Sequence, residues 1–177
     1  MSVRVSAVQW ESPLGPLTVL ATAEGVCWVD FADLEAAKAA FVRHAKRWIG
    51  QPVWTDAPFY AAAIAQLREY FDGLRRTFDV PLVLYGTTFQ QRVWRELMRI
   101  PYGHVVSYRE VACRLGHPRA VRAVGQAVGA NPLTIFVPCH RVVGADGSLV
   151  GYASGLERKQ WLLAREGAWP LDVAARA

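Results

Sequence analysis

Apolar and polar residues alternate along residues 3–10, 17–21 and 26–31, and the breaks fall at Gly15-Pro16 and Glu24-Gly25. A period of two predicts strands, and short glycine-containing breaks predict antiparallel neighbours, so the three runs read as a meander. The period then lengthens. Residues 33–48 are alanine-rich and helix-prone, and Asp56-Ala57-Pro58 opens a second helical stretch with Gly73 as its stop. Residues 78–84 return to a strand-like pattern.

In the second half, Thr88-Phe89-Gln90-Gln91 reads as a capping box in which Thr88 and Gln91 satisfy open amides at a helix start. Phe89, Val93, Leu97 and Ile100 then share one apolar face, and Pro101-Tyr102-Gly103 ends it. Ser107-Tyr108-Arg109-Glu110 is a second box, stapled by Val106 and Val111, that predicts a helix over 108–115. Gly116 supplies a turn, and Pro118 suits the first position of a further helix reaching about Gly129. Helix, glycine turn and helix make a helix-turn-helix candidate. On its last helix Val121, Val124 and Val128 share one face, and Arg119, Arg122 and Gln126 another. Ala123, Gly125, Ala127 and Gly129 lie between them, small enough for close approach of either a nucleic acid or a second helix; the two uses fit the pattern equally well.

Ile135-Phe136-Val137 reads as an apolar strand ended by Pro138, which places Cys139 at a strand end facing a cleft. Val142-Val143 and Leu149-Val150 flank Gly144-Ala145-Asp146-Gly147-Ser148 as a predicted hairpin. Residues 151–155 follow as a loop, and Ser154-Gly155-Leu156-Glu157 caps a final helix ending near Gly167. The expected organisation is α+β: a small antiparallel-sheet-plus-helix domain over 1–85, a mostly helical domain with the helix-turn-helix over 86–167, and a tail at 168–177.

With 53% hydrophobic and 20% charged residues, the composition argues for a soluble globule rather than disorder. Gln9 and Glu11 interrupt any signal-peptide core, and no run approaches a membrane span, so the expectation is cytoplasmic with no membrane partner. Charge is segregated: residues 1–85 carry 8 Lys and Arg against 9 Asp and Glu, whereas 86–167 carry 11 against 5. A positive field confined to one half is the footprint of a polyanion-binding domain.

Cys27, Cys113 and Cys139 are an odd number at irregular spacing, which suits free thiols in a reducing compartment. Cys27 and His44 could ligate a metal, but no C-x-x-C or H-x-x-x-H spacing supports one, and no metal or cofactor is expected. The adjacent thiol and imidazole of Cys139 and His140 are the strongest candidate for chemistry. Strand neighbours point to opposite faces, so His140 can activate the thiol only if the chain kinks or a water bridges the two. Glu166 shares a helix face with Leu162 and Leu163 at an end where the dipole disfavours a carboxylate, so it should have a cationic or imidazole partner; Arg141, Arg165 and His140 all remain open on spacing alone.

Phe89-Gln90-Gln91-Arg92-Val93-Trp94, Ile100-Pro101-Tyr102-Gly103, Arg122-Ala123-Val124-Gly125, Asn131-Pro132, Pro138-Cys139-His140-Arg141-Val142 and Trp161-Leu162-Leu163 together resemble the O6-alkylguanine-DNA alkyltransferase family. Ser12-Pro13-Leu14-Gly15-Pro16-Leu17 extends the match more loosely into the first half. The resemblance implies a ribonuclease H-like first domain and a winged-helix-like second one. It also implies a single-use methyl transfer from O6-alkylguanine, and from O4-alkylthymine, in double-stranded DNA to Cys139 after base flipping from the minor groove. A soft thiolate suits that displacement at saturated carbon.

By the same resemblance, His140 is the base acting through a water, Glu166 orients it, Tyr108 gives a proton to the leaving base and Asn131 touches the thiolate. Arg122 fills the gap in the stack. Arg119, Gln126, Ser107, Ala123 and Ala127 contact DNA, and Val142, Tyr152, Ala153 and Ser154 line the substrate pocket. A monomer is implied, with cooperativity on DNA open. Ser154 stands where glycine is common in the family and Thr134 where some members have proline, which bears on the size of adduct accepted. The alternatives are a non-catalytic alkyltransferase-like lesion binder, a Cys-His-Glu hydrolase and a sequence-specific helix-turn-helix regulator.

Overall fold

The computed structural model describes residues 2–170; the last seven residues of the expected tail lie outside the described residues. The chain divides into two compact units. The first comprises the residues up to Gly86 together with Pro132–Thr134, and the second comprises Thr87–Asn131 and the chain from Ile135 onward.

In the first unit, β1 (Arg4–Ser12), β2 (Gly15–Thr22) and β3 (Gly25–Asp30) form the expected antiparallel meander, with Val8 opposite Val19 and Val19 opposite Val29. A two-residue strand β4 (Val53–Trp54), too short to carry a period, adds parallel to β1 and completes the order β3-β2-β1-β4. Helix α1 (Leu34–Ile49) is capped by Asp33, whose carboxylate accepts from the Ala36 amide at 2.8 Å. It lays Ala37, Phe41 and Ala45 against Val5, Leu20 and Cys27 of the sheet. The second helix, α2 (Ala61–Phe71), begins later than Asp56-Ala57-Pro58 suggested, because residues 57–61 close two tight turns first.

Residues 78–84 do not form the expected strand. Pro81 has no amide to give, and contact with β3 is limited to a bridge in which Val26 donates to the Pro81 carbonyl and accepts from Val83. Gly25 permits that approach: at φ +154°, a Cβ there would lie 2.4 Å from the Pro81 oxygen. Leu133 makes a similar parallel bridge to Val29.

In the second unit, α3 (Thr88–Leu97) starts one residue earlier than the predicted box. Thr87 and Gln90, not Thr88 and Gln91, exchange the two capping hydrogen bonds. The buried face of α3 centres on Trp94, whose indole donates to the Ala127 carbonyl at 2.8 Å. Strand β5 (Val106–Ser107) runs into α4 (Tyr108–Arg114), capped by the Ser107 hydroxyl accepting from the Glu110 amide at 3.0 Å. Glu110 does not complete a box, since it pairs with Arg114.

Helix α5 (Val121–Gly129) begins three residues beyond Pro118, so residues 117–120 form the turn of the helix-turn-helix. The predicted hairpin is absent. Val142–Val143 forms β6, which pairs in parallel with β5, and residues 144–148 close a turn in which Gly144 donates to the Ser148 carbonyl. The last helix, α6 (Leu156–Arg165), is preceded by Gly155 rather than capped by Ser154. The architecture is the α+β arrangement expected: a sheet-and-helix unit and a mostly helical one. No helix among the described residues is long and apolar enough to cross a membrane.

Candidate active site

Cys139 does not end a strand. Ile135 is turned into the left-handed region at φ +74°, which breaks the apolar run, and Cys139–Arg141 forms a single 3-10 turn after Pro138. The chain therefore bends at the thiol, and two neighbours that a strand would send to opposite faces are carried on one tight turn. Within the turn the Val142 amide donates to the Cys139 carbonyl, and the Cys139 amide donates to the Val137 carbonyl at 2.8 Å.

Asn131, just after α5, donates from Nδ2 to the Val137 carbonyl at 2.8 Å and hydrogen-bonds the Cys139 side chain. It thus ties the segment after the helix to the segment carrying the thiol. Burial pushes the Cys139 thiol above its ordinary value, while the Asn131 hydrogen bond, the Lys159 ammonium and the Cys139 and His140 amides pull it down without cancelling that rise. At neutral pH the resting group is a thiol, and a base must take its proton.

His140 and Glu166 are both buried, and the imidazole Nε2 lies 2.8 Å from Glu166 Oε1. Arg141 joins them, donating from Nε and NH2 to the two carboxylate oxygens at 2.9 and 2.8 Å and from NH1 to the Ile100 carbonyl at 2.6 Å. Of the partners left open for Glu166, His140 and Arg141 are both used. Burial alone would raise Glu166, but His140 and Arg141 outweigh it and hold the carboxyl at about 2. Burial lowers His140 despite Glu166, so the ring is neutral at pH 7. An ionised carboxylate can only accept, so Nε2 carries the ring hydrogen and Nδ1 is the lone pair. That Nδ1 is buried with no hydrogen-bond partner among the described residues.

Tyr108 opens α4 and donates from its hydroxyl to the Val150 carbonyl at 3.0 Å, with its acidity suppressed by burial and then by Cys139. Gly125 of α5 faces it; a Cβ there would come 3.9 Å from the Tyr108 ring. Val142 is fully buried in β6. Tyr152 and Ser154 are half-buried and Ala153 exposed in the loop before α6, where Gly155 donates to the Tyr152 carbonyl and Arg158 to the Ser154 carbonyl.

Arg122, Ala123 and Gln126 are exposed on α5. Arg119 is exposed too but sits in the turn, so it does not share a helix face with the other two. Ala127 is buried, and its carbonyl accepts from the Trp94 indole, so its side chain offers no surface to DNA. Ser107 is half-buried and occupied as a helix cap. Cys27, buried and pushed up to about 12, and His44, bonded to the Tyr85 carbonyl, serve the first unit's interior. No cluster of three or more potential metal ligands occurs among the described residues.

Lys159, to which no role is assigned above, is fully buried on α6. Its signal was present, because Lys159, Leu162, Leu163 and Glu166 recur at the spacing of one helix face.

Residues 9–84 match the family model described as 6-O-methylguanine DNA methyltransferase, ribonuclease-like domain, and residues 88–168 match that of the same family's DNA binding domain. A methylated-DNA–protein-cysteine methyltransferase of Methanosarcina acetivorans is 43% identical over 159 residues, spanning 90% of this chain and 96% of the relative. The constitutive enzyme of that name from Bacillus subtilis is 55% identical over 109 residues, 61% of this chain and 66% of its own. Among solved structures, Mycobacterium tuberculosis OGT in complex with DNA superposes with a TM-score of 0.77 at 41% identity, covering 94% of each chain.

Proposed function

The chain belongs to the 6-O-methylguanine DNA methyltransferase family, and on that footing we propose that Cys139 is its methyl acceptor and the neutral His140–Glu166 pair its base. The protein is a DNA repair enzyme that transfers alkyl groups from DNA to one of its own cysteines. The observation that carries the assignment of residues is the buried imidazole whose Nε2 hydrogen is held by an ionised carboxylate, leaving the Nδ1 lone pair unsatisfied one residue from a buried thiol.

The Cys139 proton passes, by way of a water, to His140 Nδ1, and the thiolate attacks the alkyl carbon in line with O6. The S–C bond forms as the C–O6 bond breaks, and the electron pair withdraws into the purine, which takes a proton from the Tyr108 hydroxyl. Glu166 stabilises the imidazolium as the proton arrives, as a carboxylate on the far nitrogen does. The product is a thioether that no neighbouring group can reverse, so each molecule acts once. The substrate is O6-alkylguanine in duplex DNA, with O4-alkylthymine a second, bound by a single copy of the protein. Val142 and the loop bearing Tyr152, Ala153 and Ser154 form the base pocket. Incubation with methylated duplex followed by peptide mass analysis should find one methyl group on Cys139; binding without an adduct would mark a lesion-binding protein instead.

The target base is stacked inside the duplex and must be rotated out. Exposed Arg122 on α5 fills the space it leaves, with Gln126 and Ala123 beside it and Arg119 and the Ser107 region toward the backbone. Arg122→Ala should slow single-turnover transfer from duplex by roughly 10- to 100-fold, the worth of a few kcal/mol of unstacking, and leave transfer from a single strand nearly unchanged. An equal loss on both substrates would assign Arg122 to general electrostatics.

A further inference from the structure

Long cationic side chains ordinarily carry their heads to water. Lys159 does the opposite: it is fully buried, and among the described residues it has no carboxylate partner. Its ammonium donates to the carbonyls of Val150 at 3.2 Å and Gly151 at 3.1 Å and stands 5.9 Å from the centre of the Tyr108 ring. The Tyr108 hydroxyl donates to the same Val150 carbonyl. Two side chains on separate helices therefore converge on the peptide where the 150–154 loop begins.

An uncompensated buried cation is costly unless an anion forms beside it. We propose that Lys159 is a positioning residue that latches the 150–154 loop over the pocket and supplies the positive charge facing the sulfur anion that forms on Cys139. The proposal rests on Cys139 being the nucleophile. The titratable groups facing Lys159 are Cys139 and His140 from the 3-10 turn and Tyr108 from α4. The ammonium favours ionised Cys139, and Cys139 in turn favours the ammonium, whose own value burial brings down to about 8. The latch therefore loses its charge in mildly alkaline solution.

Lys159→Met keeps the length and removes the charge; Lys159→Arg keeps the charge. In the full-length protein, alkylation of Cys139 by iodoacetamide is followed across pH, and amide hydrogen exchange is followed at residues 150–154. For Lys159→Met, alkylation should be about tenfold slower at pH 7 and approach the rate of the unmodified protein above about pH 9, where Lys159 is itself neutral, and 150–154 exchange at pH 7 should quicken about tenfold, whereas Lys159→Arg stays close to the unmodified protein at pH 7. A lysine that merely fills space would leave the ratio of the two rates the same at every pH. A rate ratio for Lys159→Met that does not change with pH, or unchanged exchange, overturns the proposal.

If neither variant folds, the unmodified protein decides. Above about pH 8, after allowance for intrinsic exchange, its 150–154 amides should quicken relative to those of α1, and no such change overturns the latch. Peptide mass analysis after reaction with methylated duplex separates the two levels: methyl on Cys139 with a pH-independent rate ratio removes the latch alone, whereas methyl on another residue removes the nucleophile assignment and the latch with it.

Discussion

Changing Cys139 to alanine is expected to abolish methyl transfer altogether, while binding to methylated duplex survives. Neither of the other two cysteines is placed to substitute for it. Cys113 is exposed on α4, and Cys27 lies in the first unit's core with its thiol held protonated by burial. His140 is hydrogen-bonded to Glu166, Asn131 to the Val137 carbonyl and Tyr108 to the Val150 carbonyl. The change deletes a single buried sulfur, so stability should move by about 1 kcal/mol or less, and a loss of activity cannot be blamed on unfolding. Single-turnover transfer of labelled methyl groups, read beside a binding isotherm for the same oligonucleotide, checks both halves. Transfer that persisted in Cys139→Ala would remove the sulfur from the chemistry, and loss of binding would show that the thiol contributes to lesion recognition as well.

What could be read from the chain, and what could not, divides along physical lines. The meander was legible because a period of two over eight or nine residues is strong, whereas β4 has only two residues and no period at all. The α3 cap was misplaced by one position because Thr87-Thr88-Phe89-Gln90-Gln91 satisfies the T-x-x-Q spacing in two registers. Propensity cannot choose between them.

Ile135-Phe136-Val137 reads as a strand because burial on every side looks the same for a sheet centre and for a buried irregular segment. The positive φ at Ile135 has no signature in a β-branched residue. Pro118 fits the first turn of a helix as well as the turn before one, so α5 was begun three residues early.

The candidate catalytic group was more legible than the fold that holds it. Cys139 and His140 are adjacent in the sequence, and Glu166 was placed by its helix face. The same face carries Lys159, passed over because a lysine in a helix is read as solvated. Its burial comes from tertiary packing. Ala127 shows the converse, a small residue that spacing alone allowed to face DNA but that the fold buries.

Glu166→Gln should combine a large loss of stability with a large loss of rate. Glu166 receives Arg141 through two nitrogens and His140 through one, all buried, and an amide keeps one acceptor oxygen but turns a donor toward the guanidinium. Breaking one member of such a buried pair costs about 3–5 kcal/mol, because the other charge stays in place without its partner. Transfer should fall by two to four orders of magnitude, since His140 loses both the acceptor that fixes its tautomer and the charge that favours its protonation.

The pH dependence tests the same arrangement in the unmodified protein. His140 is depressed below 6.5 in the fold, so an unfolded chain takes up its proton first and stability begins to fall as pH drops through 6.5. Glu166, held at about 2 against an ordinary 4.5, adds a contribution on the order of 3 kcal/mol that is complete above 4.5 and lost as pH falls toward 2. Urea unfolding across this range should therefore show stability declining in two stages, and Glu166→Gln should keep the upper stage and lose the lower one. A lower stage that persisted unchanged in the variant would mean that other carboxylates govern the acid limb and that the triad is held together by packing around Arg141 rather than by its charge.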